Sequence, residues 1–332
     1  MTWQAIARRI GQAVVVLWAT FTVSYLLLAA LPGDAIIARY DDPALGLNAE
    51  QLDAIRQSYG ADESLIARYF HTLGGFLTGD FGVSVATGTP VSTLIADALP
   101  STLVLASLAF VVGVVVAALI AVAATFPRTR WMGDAVRAFP PVLISLPTFW
   151  IGILLIQVFS FQLGWVPVIG ASSSQALILP VIALSVPVAA QLSQVFLRAI
   201  DEVLAEPFIQ AVRARGASAS WVLWRNVARN AMLPTLTMAG LTFGELVGGS
   251  VVTEAVFARQ GIGALTVDAV TNRDTAVLLA IVVLAAMTFI VINLIVDLLY
   301  PMLDPRLRTT APEKETAGEQ PASMTAVEGT VR

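Results

Sequence analysis

Four stretches of this chain carry no charged side chain: Ile10–Leu31, Leu99–Phe126, Ala138–Leu197 and Ala276–Val296. A helix rises about 1.5 Å per residue, so about 20 apolar residues cross a hydrocarbon core roughly 30 Å thick. Each block is long enough to cross. The sixty-residue block Ala138–Leu197 holds two crossings, divided by the turn-rich run Gly164-Trp-Val-Pro-Val-Ile-Gly-Ala-Ser-Ser-Ser174. Composition agrees: 57% of the residues are hydrophobic and 13% charged, where soluble domains carry about a quarter charged residues.

The expected fold is an all-α integral membrane protein of six crossings, over 10–31, 99–126, 138–161, 176–197, 231–253 and 276–300. The first block has a basic start, Arg8-Arg9, but its apolar run is too long for a signal peptide, and it reads as a retained anchor. Orientation follows from arginine, which accumulates in cytoplasmic loops. Segments 1–9, 127–137 and 198–230 hold ten arginines and four acids, whereas 32–98, 162–175 and 254–275 hold five arginines and twelve acids. Both termini are therefore expected in the cytoplasm, with the chain in the plasma or inner membrane.

Two loops are too long to be mere turns. The external segment 32–98 contains a capping-box pattern at Asn48-Ala-Glu-Gln51, then Leu52, Ile55 and Tyr59 at helical spacing before Gly60. A second amphipathic stretch, Ser64–Leu77, carries Leu65, Tyr69, Phe70, Leu73 and Phe76. This small helical cap is either a packed lid or a docking surface for a solute-delivery protein. The internal segment 198–230 reads as two short helices. Pro207 suits a first helical turn and Gly216 a helix stop, with Arg213 and Arg215 in the last turn and Ser218 capping the second helix. Phe208, Ile209 and Val212 form an apolar patch on the first helix. Such a piece either anchors at the membrane surface or inserts into a soluble motor protein.

The segment Gln210-Ala-Val-Arg-Ala-Arg-Gly216, followed by Arg225-Asn-Val-Ala-Arg-Asn-Ala-Met-Leu-Pro234, resembles the cytoplasmic "EAA" loop of ATP-binding-cassette importer permeases of the dipeptide/oligopeptide/nickel type. Other segments agree in order: Leu31-Pro-Gly-Asp34, Gly79-Asp-Phe-Gly-Val-Ser84, Ser145-Leu-Pro-Thr-Phe-Trp150, Gly164-Trp-Val-Pro167, Gly248-Gly-Ser-Val-Val-Thr-Glu-Ala-Val-Phe257, Gly261-Ile-Gly263 and Leu298-Leu-Tyr-Pro-Met-Leu-Asp-Pro-Arg306. The long first external segment after a short basic N-terminus is similar to the B-type permease of such systems. The resemblance covers residues 1–308, which it implies form one permease domain. The tail 309–332, rich in Thr, Glu, Ala and Pro, reads as disordered.

The resemblance implies that the helix with Gln210, Ala211, Val212, Arg213 and Arg215 is the coupling helix of an ATPase subunit, with Ala211 at the family's small position and Gly216 at its turn. Gln210 replaces the family's Glu, and Pro207 departs from its commoner polar residue. The implied partners are a second, C-type permease, ATP-binding subunits, an external solute-binding protein and membrane lipid. Selectivity is then expected mainly in the delivery protein, with dipeptides, oligopeptides, glutathione, haem or nickel chelates as solutes.

The residues bear on energy and chemistry directly. A P-loop needs a lysine after its second glycine, and the one lysine, Lys314, lies in Glu313-Lys-Glu315. If transport is driven by ATP, another chain must bind and hydrolyse it, and this chain is expected to carry no ATPase site of its own. There is no cysteine and one histidine, His71, in the external segment; no metal, cofactor or thiol chemistry is expected on this chain. A net charge of −4 with no basic stripe outside the loops gives no nucleic-acid signal.

Within the fifth crossing Gly240, Gly244 and Gly248 share one helix face, a spacing that favours close helix packing. Glu245 beside them costs about 2.5–3.5 kcal/mol to insert and must face a cavity or a partner. It is a candidate for the substrate path. Glu254, at the outer end of that helix, is a second candidate. The alternative function is a proton-coupled secondary transporter working through Glu245. The lack of an obvious inverted repeat speaks against it.

Overall fold

Helices make up most of the chain in the computed structural model, which describes residues 3–30, 50–51, 64–126, 129–167 and 174–303. The helix expected at 52–59 and the tail 309–332 lie outside the described residues. In order, the helices are α1 (Trp3–Ala29), α2 (Leu65–Thr78), α3 (Val91–Thr125) and α4 (Arg130–Ile144). Next come α5 (Thr148–Leu155, prolonged by a π-helical stretch Ile156–Gln162), α6 (Gln175–Ala205) and α7 (Pro207–Ala214). Then α8 (Ala219–Val222) runs through a π-helical turn, Leu223–Val227, into α9 (Ala228–Val256), followed by α10 (Ile262–Thr271) and α11 (Thr275–Leu303).

Five helical runs are long and apolar enough to cross a bilayer, within α1, α3, α6, residues 219–256 and α11. The third expected crossing, 138–161, is corrected. Its opening residues lie on α4, and α4 meets α5 at a bend of 102°, so the pair is a broken span or a re-entrant loop rather than one straight crossing. The break falls at Ser145-Leu-Pro147. Pro147 lacks an N–H and disfavours helical geometry in the residue before it; its own ψ of 133° is extended, and α5 starts directly after it. Pro180 and Pro187 both sit inside the continuous α6. Neighbouring helices make this tolerable for a helix in lipid.

Lipid removes most of the hydrophobic drive between helices, so close packing holds the bundle together. Its centre is the α3–α6 seam, where Leu105, Ala106, Ala109 and Ala117 meet Val181, Leu184, Val188 and Leu192, with Leu246 and Val247 of α9 closing over them. At one end of the bundle α10 packs through Ile262 and Ala269 onto Val91 and Ile95 of α3 and Val277 and Ala280 of α11. At the other end α7 and α8 pack onto the ends of α3 and α6.

The amphipathic stretch after Ser64 folds as α2. Ser64 caps it, accepting a hydrogen bond from the Ala67 N–H at 3.3 Å. Its Tyr69 ring lies 5.7 Å from Phe21 and 5.4 Å from Tyr25 of α1, and the Tyr69 and Thr22 hydroxyls are 2.8 Å apart. Leu279 of α11 joins this aromatic cluster.

Candidate functional site

At the α7 end, local sequence sets the geometry. Glu206 leaves the helical region (φ −65°, ψ 140°), and Pro207 restarts the chain as the first residue of α7. Ile209 is fully buried, set among Ala121, Ala124, Leu197, Ile200, Val222 and Val227. Val212 packs beside it, half-buried. Phe208 turns away and is 43% exposed, so the expected apolar patch divides between two faces. Gln210, Ala211, Arg213, Arg215 and Gly216 are all exposed. Gly216 has φ +85°, the left-handed region in which glycine has no Cβ penalty. Ser218 then caps α8, accepting from the Trp221 N–H at 3.3 Å, and Arg225 lies over the Trp221 ring. The result is a short helix pinned by one buried side chain between two crossings, with its polar face uncovered.

The three glycines of α9 do not behave alike. A Cβ on Gly240 would overlap Val296 of α11, and one on Gly244 would come 2.7 Å from the Phe289 ring. Gly248 has nothing within 4 Å of that position. Close approach of α9 to α11 therefore depends on Gly240 and Gly244. Glu245 is exposed on α9, with no hydrogen-bonding or ionic partner among the described residues.

Glu254 departs from the expectation of a residue lining a substrate path. It is fully buried. Its Oε1 accepts from the Thr102 hydroxyl at 2.6 Å and from the Ser250 hydroxyl at 3.4 Å, and its Oε2 accepts from the Gly263 N–H at 2.7 Å. Thr102 in turn accepts from the Ile262 N–H at 2.9 Å. At the start of α10 the carboxyl thus takes the Gly263 N–H and Thr102 the Ile262 N–H, which ties that helix to α9 and α3. Gly261 and Gly263 make room: a Cβ on Gly261 would overlap the carboxyl, and one on Gly263 would come 2.8 Å from Oε2. The ordered pair Thr-Glu…Gly-Ile-Gly is the signature of this pin.

A second buried acid, Asp274, was not singled out from the sequence. It accepts from the Ser84 hydroxyl at 2.5 Å and the Ala86 and Val277 N–H groups at 3.3 Å. It thereby caps α11 and holds the Gly79–Ser84 segment against it. An acid just before an apolar helix was the available signal. Nearby, Arg259 donates to Ser101 Oγ within α3 at 3.0 Å and to the Ala176 carbonyl at the start of α6 at 3.5 Å.

Five helices long enough to cross a bilayer, one sharply bent helix pair and an uncovered short helix between α6 and α9 make up the bundle. Residues 109–309 match the family described as "Binding-protein-dependent transport system inner membrane component", and residues 2–106 match its N-terminal counterpart. The chain belongs to this family: it is a membrane permease subunit of an ATP-binding-cassette importer, a system whose ATPase is a separate subunit.

Among its relatives is the "Glutathione transport system permease protein GsiC" of Escherichia coli strain K12, 38% identical over 284 residues, which span 86% of this chain and 92% of the relative. The GsiC protein of Salmonella typhimurium is 38% identical over 289 residues, with the same coverage of 86% and 92%. The fold is shared with a chain of the MetNI methionine ABC transporter in inward-facing conformations, at TM-score 0.55 and 20% identity over 64% of this chain and 96% of that one. It is shared also with an amino acid ABC transporter solved with histidines, at TM-score 0.52 and 20% identity over 64% and 94%.

Proposed function

We propose that this chain is the B-type permease of an importer for peptide-like solutes and that α7 is its coupling helix. In this reading both termini, α4, α7 and α8 face the cytoplasm. A C-type permease completes the path, an external binding protein delivers the solute, and ATP-binding subunits seat α7 in a groove. The arginine bias of the loops supports the orientation. The glutathione transport named for the relatives supports the solute class.

One observation carries the reading: α7 is anchored only through its Ile209–Val212 side, while Gln210, Ala211, Arg213 and Arg215 stay uncovered. The bilayer-surface alternative would require the exposed face to be apolar, and it bears two arginines. Closure of the ATPases then moves α7 as a rigid piece, and the packed contacts of Ile209 pass that motion to α3, α6 and α9.

The test is ATP-driven uptake by the full assembly in vesicles. Gly216→Trp forces a bulky L-residue into a left-handed turn on the docking face. Uptake falls to less than about a tenth, while membrane insertion and co-purification of the second permease persist. In the unsubstituted assembly vanadate stops uptake and an uncoupler does not. Normal uptake by Gly216→Trp would sink the lever assignment, and collapse with the uncoupler would favour proton coupling through Glu245.

A further inference from the structure

A cavity of about 380 Å³ lies beside the α7-proximal half of α6, bordered by Gln191, Gln194, Arg198 and Glu202 of α6 with Ile144 of α4 and Met238 of α9. The four polar residues recur at three- and four-residue steps and form a single stripe. The opposite side of the same helix turns, with Leu192, Ser193, Leu197 and Ile200, is buried in the bundle. Gln191 and Gln194 lie within the expected crossing 176–197, where a polar pair disfavours lipid, and Arg198 and Glu202 continue the stripe just beyond its α7-proximal end.

Its hydrogen-bonding capacity is largely unused. Gln191 accepts from the Thr242 hydroxyl at 3.3 Å through Oε1, which leaves its amide N–H groups aimed elsewhere. Gln194, Arg198 and Glu202 have no hydrogen-bonding or ionic partner among the described residues. Arg198 and Glu202 are one turn apart without pairing, so a cation and an anion stand side by side at the cavity.

We infer that this stripe is the solute-contacting wall of the translocation path. Amide donors followed by a separated cation and anion match a peptide-like zwitterion: Gln191 and Gln194 donate to peptide carbonyls, and Arg198 holds the carboxylate. The inference rests on the proposed peptide importer and deepens it by naming the contacts. Ala199, on the cavity border, also packs in the cluster around Ile209. Motion of α7 therefore reaches the wall through one packed neighbour.

The chain contains no cysteine, so a single Gln194→Cys places a unique thiol in the stripe. In the full assembly in vesicles, its modification by methanethiosulfonate reagents is followed on this chain by mass spectrometry. The anionic sulfonatoethyl reagent reacts about tenfold faster than the cationic ethylammonium reagent, and adding Arg198→Gln shrinks that ratio to below about threefold. Millimolar alanyl-alanine, added without the binding protein, slows the reaction, whereas its C-terminal amide does not.

A thiol unreactive in every nucleotide state means that the second permease covers the stripe, and it overturns the inference. Equal rates for the two reagents, or equal effects of the acid and the amide, overturn it too. Uptake by the unsubstituted assembly is measured in the same vesicles. If it is ATP-driven while the thiol fails these tests, the wall assignment falls and the importer reading stands.

Discussion

The two ends of the bundle are fastened by different chemistry. At the α10 end, buried carboxyls make directional bonds: Glu254 holds Thr102 and the Gly263 N–H, and Asp274 holds Ser84 and the start of α11. At the α7 end the fastening is apolar, with Ile209 in a socket of alanine, leucine, isoleucine and valine side chains. A polar tie at that end, between Arg137 and Asp201, is an exposed ion pair, of a kind worth little in water. Hydrogen bonds fail abruptly when their geometry shifts, whereas apolar contacts tolerate sliding because they have no preferred direction. In the proposed mechanism the first end holds its shape and the second moves as a unit.

Substitutions break or sharpen this contrast. Glu254→Ala leaves the Thr102 hydroxyl and the Gly263 N–H buried without an acceptor, at about 1–3 kcal/mol each and about 4 kcal/mol together. Thermal unfolding of the purified chain should show the largest loss here. Ile209→Ala empties the socket at the other end for about 3 kcal/mol, and uptake per ATP should fall as the lever loosens. A larger unfolding penalty for Ile209→Ala than for Glu254→Ala would reverse the assignment of rigid and mobile ends. Between the ends, Gly244→Ala pushes a methyl to 2.7 Å from Phe289 and should cost about 1–2 kcal/mol. Gly248→Ala, with open space around it, should stay within about 0.5 kcal/mol of the parent. A large loss at Gly248 in the full assembly alone would mark that residue as part of the contact with the second permease.

The short helix α7 was legible in the sequence because its boundaries are punctuated locally. Pro207 and Gly216 each act on their own backbone, and α7 runs between them. The unbroken crossings were legible for the same reason, each being a long apolar run. The third was not. Counting charges over Ala138–Leu197 hides that Arg130, Asp134 and Arg137 fall at helical spacing on α4, which makes the residues before Pro147 part of an amphipathic helix. Glu254 was misjudged because its burial is decided by Thr102, 152 positions away; position along the helix places it at an end without revealing that α10 folds over it. The stripe at Gln191 and Gln194 escaped because a search for ionisable groups passes over neutral amides.

The broken third crossing has a consequence for the surrounding lipid. Its perpendicular limb, Thr148–Gln162, has fifteen residues and is at most about 22 Å long, some 8 Å short of a typical acyl layer. On that flank the bilayer must pinch inward, or headgroups and water must follow the chain down. Wherever that limb meets lipid rather than a partner chain, acyl-chain length becomes a variable that sets how well the bundle is seated.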